Sequence, residues 1–336
     1  MYKKKVVFFG LGGAGQRHLR ILNSLRNKLR LSFFTFRKIN KVQVIKKNFS
    51  LDKKKLSEKY KSLFFFKKEN HAYSKDNIAI ISNPTAMHYK TAFKCAKAKM
   101  HIFVEKPFFC NINKFNSFAK IVKKNKLKFL VGYQRRFSSA VVEFFNIVKK
   151  LDVGEIKKVD ITVNSYVPDW HKYEDYKKLY ACQKILGGGS LLTECHELDI
   201  IIMIFGLPSK LHCKKYYDIK GIDVESRHNI TFFYNTFSIF FKINMFCKKI
   251  KRNINLTTNS SCYNLDLNLN KIHKDNKNIY SSKKNLGIDF KEQIKYFCSN
   301  KMNVSQNILD TKRNLLIFNA CLRSNKNNKI VKIYEQ

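Results

Sequence analysis

The sequence predicts an α/β protein in two parts: a doubly wound parallel sheet over residues 1–132, then an α+β domain over residues 133–336 with a large, mainly antiparallel sheet. Three observations support this prediction. In the first part, short apolar runs of β type alternate with helical segments, as in a parallel sheet covered by helices. In the second part, long alternating runs follow one another, which favours antiparallel pairing with helices on one face. A glycine-rich turn joins the first strand to the first helix.

The predicted strands of the first part are short runs of β-branched, aromatic and other apolar residues. They cover residues 6–9, 31–36, 63–66, 78–81, 101–104 and 129–131. A helix is predicted over residues 16–30, because Leu19, Leu22 and Leu25 recur at helical spacing. Two further helices are predicted after the fourth and fifth strands, the first ending near Cys95 and the second near Lys124.

The second part has a different rhythm. A helix is predicted over residues 139–149, followed by an alternating strand over residues 156–163. The interval 230–244 fits two adjacent strands, and residues 263–269 again alternate with period two. Further helices are predicted over residues 191–205, 290–298 and 311–322, and the Asn/Lys-rich interval 271–284 is predicted as a solvated loop.

Composition limits the class of protein. Lys and Arg total 66 against 24 acids, a formal charge of +42. This charge indicates either a polyanion site or a compositional bias, and the even spread of lysines together with abundant Asn, Ile, Phe and Tyr favours the bias. Specific nucleic-acid binding is therefore not expected, although weak, salt-sensitive binding is.

Cysteines and apolar runs argue against metal sites and membrane insertion. The nine cysteines include no C-x-x-C pair, so no metal site is predicted and reduced thiols in a cytoplasmic protein are expected. The first residues lack the apolar region of a signal peptide. The longest apolar run, residues 200–207, is far too short to cross a bilayer.

The glycine-rich turn GLGGAG (residues 10–15) predicts a dinucleotide site in a Rossmann domain. It follows a strand and precedes a helix, the context in which a G-x-G-x-x-G run cradles a pyrophosphate at a helix N-terminus. The predicted contacts are Gly10, Gly12, Gly13, Ala14 and Gly15. The second strand then ends without the acid that would bond the ribose of NAD. Arg37 lies there and can accommodate a 2′-phosphate, so the choice between NAD and NADP tilts toward NADP.

Two further segments carry candidate chemistry. Lys106 follows the fifth strand, in Glu105-Lys106-Pro107, where strand ends of a doubly wound sheet meet the coenzyme. We expect burial and a neighbouring cation to lower the pKa of Lys106, so that it can share a proton with a substrate hydroxyl. Downstream, three glycines (187–189) lead to Ser190, predicted as a helix N-cap.

On that helix, Thr193, His196 and Asp199 are predicted to share one face. A histidine with a pKa near neutrality beside an acid is a natural proton carrier. Without further context, a buried structural histidine is the favoured interpretation of His196, and a solvated turn lysine is a strong interpretation of Lys106.

Four segments resemble the glucose–fructose oxidoreductase/inositol dehydrogenase/rhizopine-catabolism (Gfo/Idh/MocA) family, in matching order and spacing. They are GLGGAGQRH (10–18), NPTAMH (83–88), EKP (105–107) and GGG (187–189) leading to His196, and residues 131–137 are similar to the family's domain junction. The resemblance implies that Lys106 and His196 are catalytic. It also implies that Asn83, Pro84, Thr85, His88 and Glu105 border the coenzyme.

The sequence departs from the family at one place. Many members have an aspartate three or four residues before the catalytic histidine, where this chain has Leu192 and Thr193. Threonine can form a hydrogen bond but cannot accept a proton at neutral pH. Either Glu194, Glu197 or Asp199 replaces the lost acid, or the proton path is shorter.

Several side chains are candidate substrate contacts. Trp170 and Tyr176 lie in a segment with aromatic faces and polar groups, which suits a sugar ring, although a surface loop packed on a helix is an equal alternative. Arg135 and Arg136 can pair with a substrate anion or with the protein's own acids, and the second is favoured for at least one of them. Thr193, Lys106 and His196 complete the predicted substrate set.

Together these features predict an NAD(P)-dependent oxidoreductase acting on a secondary alcohol of a sugar, sugar nucleotide or cyclitol. The alternative is an NAD(P)-binding regulator of the same fold. The resemblance further implies a homodimer or homotetramer formed through the open face of the second sheet. The alternating apolar residues between Phe232 and Ile243 are compatible with such an interface.

Overall fold

The computed structural model describes residues 4–36, 39–171, 173–282 and 286–334. In the first part the strands are β1 (Lys4–Phe9), β2 (Leu31–Thr35), β3 (Gln43–Ile45), β4 (Leu51–Lys55), β5 (Leu63–Phe65), β6 (Ile78–Ile81), β7 (His101–Val104) and β8 (Phe129–Val131). The helices are α1 (Gly13–Ser24), α2 (Arg26–Leu29), α3 (Leu56–Lys59), α4 (Thr85–Lys97) and α5 (Ile112–Lys124).

These strands form the predicted parallel sheet, in the order β5-β2-β1-β6-β7-β8. The central strand β6 is buried at every position, as its Ile and Ala residues require. The carboxyl ends of β1, β6 and β7 therefore meet at one edge, where the glycine turn, Asn83 and Glu105 follow them. The small antiparallel hairpin of β3 and β4 lies beside this sheet and was not predicted.

The second part begins with helix α6 (Ser139–Lys149), as predicted, and the predicted boundary at 132/133 lies between β8 and this helix. Its further helices are α7 (Ser190–Thr193), α8 (His196–Phe205), α9 (Leu286–Cys298) and α10 (Val304–Asn327). Its strands are β9 (Ile156–Tyr166), β10 (Lys210–Tyr216), β11 (Arg227–Phe233), β12 (Ser238–Asn244), β13 (Phe246–Thr258), β14 (Cys262–Asp266), β15 (Lys271–Lys274), β16 (Lys277–Ser281) and β17 (Val331–Lys332).

The second sheet has the order β16-β15-β14-β13-β9-β12-β11-β10-β17. Its strands pair antiparallel except for β9 with β12, which are parallel. The fold class predicted from the sequence is thus confirmed. Within the described residues, no helix is both long and apolar enough to cross a membrane.

One face of this sheet is apolar and buried, and the other is polar. The prediction of an apolar interface between Phe232 and Ile243 is therefore wrong. Phe232, Ile239, Phe241 and Ile243 are at most 2% exposed, and they pack in the chain's own core with residues of α8 and α10. They are therefore not the apolar surface of an open face. The opposite face carries Asp160, Thr162, Lys242 and other polar side chains, because successive residues of a strand point to opposite sides.

Three further predictions were wrong. The interval 271–284 is not a solvated loop, because β15 and β16 form a hairpin there. The predicted helix over residues 191–205 is interrupted between α7 and α8. Ser190 does not cap it: the preceding Gly189 is the N-cap residue, and the Ser190 hydroxyl lies 2.8 Å from Nδ1 of His228.

Candidate active site

A cleft of about 490 Å³ lies between the two sheets. One wall is formed by the glycine turn and by the ends of β6 and β7, and another by residues 170–180 together with His196. Most of the predicted site residues meet here: Gly10, Gly12, Gly13, Ala14, Asn83, Pro84, Thr85, His88, Glu105, Lys106, Trp170 and His196.

The glycine turn has the geometry that a bound diphosphate needs. A side chain on Gly10 would lie 2.6 Å from the backbone of Asn83, and one on Gly15 would lie 2.3 Å from the carbonyl oxygen of Gly10. Both positions therefore exclude a side chain for reasons internal to the fold. Gly12 is different, because its added Cβ would have no atom within 4 Å. The space above Gly12 and the uncapped start of α1 fit a phosphate group.

His88 connects two parts of the coenzyme wall. Its Nδ1 lies 2.8 Å from the carbonyl oxygen of Pro107, and its Nε2 lies 2.8 Å from that of Asn83. Burial lowers the pKa of His88, although both carbonyls oppose this shift. The imidazole therefore ties the turn after β7 to the start of α4.

Glu105 is a buried carboxylate. Burial opposes its ionisation, but the contact with His18, 2.6 Å away, and the charge of Arg17 hold the pKa of Glu105 at about 2. The Arg17 guanidinium donates to the same oxygen at 3.4 Å and lies 3.7 Å from the centre of the Phe290 ring. Arg17 and Phe290 both line the cleft, and neither was predicted from the sequence to have a role there.

Lys106 is a cation in this cleft. Its Nζ donates to the carbonyl oxygen of Thr193 at 2.6 Å. Burial alone would lower the pKa of Lys106, but interactions with Tyr180, Cys195, Glu194 and Glu105 outweigh it and raise the pKa above its usual value. The predicted lowering was wrong, so Lys106 can hold and polarise a substrate oxygen but remains protonated at neutral pH.

His196 is uncharged at neutral pH. Burial, followed by the charges of Lys106, Arg135, Arg252 and Arg17, lowers the pKa of His196 well below its usual value. The predicted pKa near neutrality is therefore wrong. Its Nδ1 is buried and has no hydrogen-bond partner among the described residues.

The acids around His196 are all bound by arginines. Arg252 pairs with Glu194 and Glu197, and Arg135 Nε lies 3.5 Å from Glu197. None of these acids is a free replacement for the aspartate that the family usually has. Ser165 also donates to Glu194, at 2.5 Å.

Arg136 holds Asp199 through two nitrogens, at 2.6 and 2.7 Å, and it also contacts Asp310. Its predicted role as a substrate contact is wrong, because the protein's own acids occupy its guanidinium. Both arginines of the 135–136 pair thus serve internal ion pairs.

The remaining predicted residues have different positions. Gly15 packs behind the turn, and Thr193 contributes its backbone oxygen to Lys106. Tyr176 lies outside the cleft lining of the described chain and packs instead against Phe246, with ring centres 6.0 Å apart. Arg37 lies outside the described residues.

An aromatic stack covers the glycine turn and was not predicted. Phe49, at the tip of the β3–β4 hairpin, stacks on His171 with ring centres 5.7 Å apart, and His171 stacks on Tyr173 at 5.2 Å. An added Cβ on Gly13 would lie 3.5 Å from the Phe49 ring. Nothing in the local sequence around Phe49 indicated this contact, because its partners lie in the second domain.

Comparison with known proteins identifies the first domain. Residues 4–133 match a family model described as an oxidoreductase family with an NAD-binding Rossmann fold, GFO_IDH_MocA. The N-terminal domain belongs to the Gfo/Idh/MocA family. The expected family is thereby confirmed for this domain, which contains three of the four sequence segments, and so is an NAD-binding type of Rossmann domain.

Curated relatives of this Gfo/Idh/MocA domain match over short segments. A stretch of 127 residues is 27% identical to 2,7-anhydro-N-acetylneuraminate hydratase of Escherichia coli (strain K12), covering 38% of this chain and 33% of that protein. A stretch of 90 residues is 32% identical to inositol 2-dehydrogenase of Rhizobium meliloti (strain 1021), covering 26% of each protein. The matches thus span about a third or less of these relatives.

The whole chain has a similar fold in solved structures. Levoglucosan dehydrogenase, in complex with NADH and levoglucosan, aligns with a TM-score of 0.79 over 99% of this chain and 100% of that chain, at 14% identity. At this identity the likeness shows the fold, including that of the second domain.

Proposed function

We propose that this protein is an NAD(P)-dependent oxidoreductase that transfers a hydride to or from a secondary alcohol of a sugar, a sugar nucleotide or a cyclitol. The observation that carries the proposal is the Lys106 ammonium, bound to the Thr193 carbonyl in the same cleft as Gly12 and His196. A cation there is suited to an oxygen that gains negative charge during hydride transfer.

The chain's own residues orient and enclose the substrate. A nicotinamide coenzyme, when bound, supplies or accepts the hydride. Lys106 uses one of its three N–H groups on Thr193, which leaves two for the substrate oxygen. His196, kept neutral by its surroundings, offers the substrate a hydrogen-bonding nitrogen, and Trp170 offers an apolar ring face.

The preference for NADP over NAD rests on Arg37, which follows β2 in the sequence, together with the absence of an acid at that point of the chain. Thermal-shift titrations with NAD and with NADP measure the preference directly. The variant Arg37→Asp should reverse it, and an unchanged ratio of the two dissociation constants would remove Arg37 from the proposal.

The catalytic proposal is tested with Lys106→Met and a panel of sugars, sugar nucleotides and cyclitols. Loss of the ammonium should reduce kcat about 10³-fold while coenzyme affinity is retained. Lys120→Met is the control, because Lys120 is exposed on α5. The assay follows both nicotinamide absorbance and substrate consumption, because one relative is named as a hydratase. Near-native turnover by Lys106→Met would refute the role of Lys106.

A regulator that binds the coenzyme without turnover is the second candidate. The observation that favours it is the pairing of Glu194, Glu197 and Asp199 with arginines, which leaves His196 without a free acid beside it. Tight NAD(P)H binding without turnover on any member of the panel would assign this role.

For assembly, we propose a homodimer or homotetramer formed through the polar face of the second sheet. On that face Asn264 donates to Asn255 at 2.5 Å, and the Lys158 ammonium lies 5.2 Å from the Phe240 ring centre. Light scattering of the purified protein measures the subunit number, and Thr162→Arg should shift it toward the monomer. A chain that is monomeric before substitution would refute the proposal.

A further inference from the structure

Tyr180 lies in the cleft with Lys106 and His196, and the mechanism above does not use it. It begins a short 3₁₀ turn, Tyr180–Cys182, just before the three glycines. Its side chain is partly exposed, and it borders the cleft.

The three glycines place this turn against the coenzyme wall. A side chain on Gly188 would lie 2.3 Å from the carbonyl oxygen of Tyr180, and the Gly189 N–H donates to Ala181 at 2.9 Å. On the other side, a Cβ on Gly187 would lie 2.8 Å from the backbone nitrogen of Ala86, in the first turn of α4. The glycine run therefore packs between the Tyr180 turn and α4, the helix that borders the coenzyme. Any residue larger than glycine would force the turn and the helix apart.

The phenol interacts electrostatically with charged groups from both domains, and Lys106, Arg17 and Glu105 line the same cleft. Lys106 and Arg17 are the cations that interact with it, and Glu105, Glu194 and Cys195 are the other titratable groups around it. Glu105 is already bound by His18 and Arg17, and Glu194 by Arg252 and Ser165. Neither carboxylate is therefore a free proton donor in this cleft.

From this placement we infer that Tyr180 is a further catalytic residue, whose phenol O–H exchanges a proton with the substrate oxygen that Lys106 holds. The inference rests on the proposed hydride-transfer function. In reduction, the carbonyl carbon receives the hydride, the C=O π pair moves to oxygen, and that oxygen takes the Tyr180 proton. The phenolate then recovers a proton from water in the cleft. Oxidation is the reverse and begins with the phenolate as the base.

The other two groups are less suited to this proton transfer. The pKa of Lys106 is raised and that of His196 is far below neutrality, so one keeps its proton and the other does not take one. Burial raises the pKa of Tyr180, although Lys106 opposes this shift, and the neutral phenol is a donor at neutral pH. Oxidation should therefore accelerate as pH rises, and reduction should slow at high pH.

The test compares Tyr180→Phe with the native protein, using a substrate that the native protein turns over. We expect kcat to fall about 10²–10⁴-fold in both directions with KM and coenzyme affinity nearly unchanged. The alkaline rise of the oxidation rate should disappear. Tyr217→Phe makes the same chemical change at a position that is 58% exposed, and should behave as the native protein.

A second variant separates catalysis from structure. Site-specific 3-fluorotyrosine at position 180 keeps the hydroxyl but lowers its pKa, so the alkaline rise of the oxidation rate should move to lower pH. The inference would be overturned if the alkaline rise of the oxidation rate stayed at the same pH in the fluorotyrosine variant, or if Tyr180→Phe kept the native kcat. It would also be overturned if Tyr180→Phe changed only KM and thermal stability. Each of these outcomes would leave the hydride-transfer function intact. Absence of turnover by the native protein itself would refute both.

Discussion

Replacing Arg252 by methionine should destabilise the protein in a way that depends on pH in a defined direction. Arg252 lies on β13, and its Nη1 donates to both oxygens of Glu197, at 2.8 and 3.0 Å, while its Nη2 contacts Glu194. The side chains of the two acids are 3% and 0% exposed. The substitution preserves apolar volume but removes the only cation in contact with Glu194 among the described residues.

The size of the destabilisation follows from the contacts that Glu194 and Glu197 keep without Arg252. Glu197 keeps Arg135 at 3.5 Å. Among the described residues, Glu194 keeps the hydroxyl of Ser165 as a hydrogen-bond partner, and the charge of Lys106 still acts on it. Removing one partner of a buried ion pair costs about 3–5 kcal/mol, because a desolvated charge is left without compensation. For a chain of this size, such a loss corresponds to a decrease of about 4–7 °C in Tm.

The pH dependence gives the sharper test. In the native protein burial opposes ionisation of Glu194, but Arg252 and Ser165 outweigh it and lower its pKa. Its contribution to stability is therefore present above the unfolded carboxyl pKa of about 4.3 and is lost as pH falls below that value. Without Arg252, burial dominates and the folded pKa rises above the unfolded one. The carboxylate then destabilises the variant increasingly as pH rises, and the difference in Tm from the native protein should narrow toward pH ~5.

Thermal unfolding followed by circular dichroism between pH ~5 and ~8 measures this difference. The double variant Arg252→Met/Glu194→Gln should recover part of the lost stability at neutral pH. Arg227→Met is the matched control, because Arg227 and its partner Asp218 are each 39% exposed and their pair should contribute less than about 1 kcal/mol. A difference in Tm that stays constant or widens on acidification would refute the reasoning.

Two further predictions concern glycines of the first turn and a buried acid of α9. Gly15→Ala should lower stability by about 3 kcal/mol, because its Cβ would lie 2.3 Å from the Gly10 carbonyl oxygen. Gly12→Ala, with open space around its Cβ, should keep the native Tm but weaken coenzyme binding about tenfold, and equal effects of the two variants on Tm would contradict this. Burial raises the pKa of Asp289 to about 6 against the opposing charge of Arg135, so ionisation of this acid costs folded-state stability as pH rises toward neutrality. Asp289→Asn should therefore increase the free energy of unfolding at pH ~7.5 by about 1–2 kcal/mol and raise Tm. Thermal unfolding that shows no increase in Tm at this pH would contradict the prediction.

The sequence was sufficient for elements whose own residues determine their structure. The boundaries of β6, β7, β8 and α6 were predicted to the residue, because each is a short apolar run or a segment of clear helical period. The strand β13 and the β15–β16 hairpin were missed. Lysines interrupt the apolar pattern in the first half of β13 and in the hairpin. Pairing with neighbouring strands, which the local sequence does not reveal, stabilises these segments.

The same limit applies to the site. Sequence order placed Lys106 at the end of β7 and the glycine turn at the start of α1, because strand ends in a doubly wound sheet share one edge. The charge states could not be predicted in this way. For His196 they depend on burial and on charges that include Arg252, which is 56 positions further along the chain (252 − 196). For Lys106 they depend on Tyr180 and on the acids of its surroundings, which outweigh burial. Both predicted pKa directions failed because these neighbours were missing from the argument.

Composition nevertheless carries information about the site that a motif search does not use. Lysine is abundant along this sequence and arginine is scarce, so the positions of the arginines are informative. Arg17, Arg135, Arg136 and Arg252 each bind a buried acid, and Arg17 also lines the cleft. A planar guanidinium donates in two directions at once, and the single ammonium of lysine cannot reproduce this geometry. These four arginines mark where buried carboxylates are paired, and the charges of Arg17, Arg135 and Arg252, after burial and Lys106, help to keep His196 uncharged.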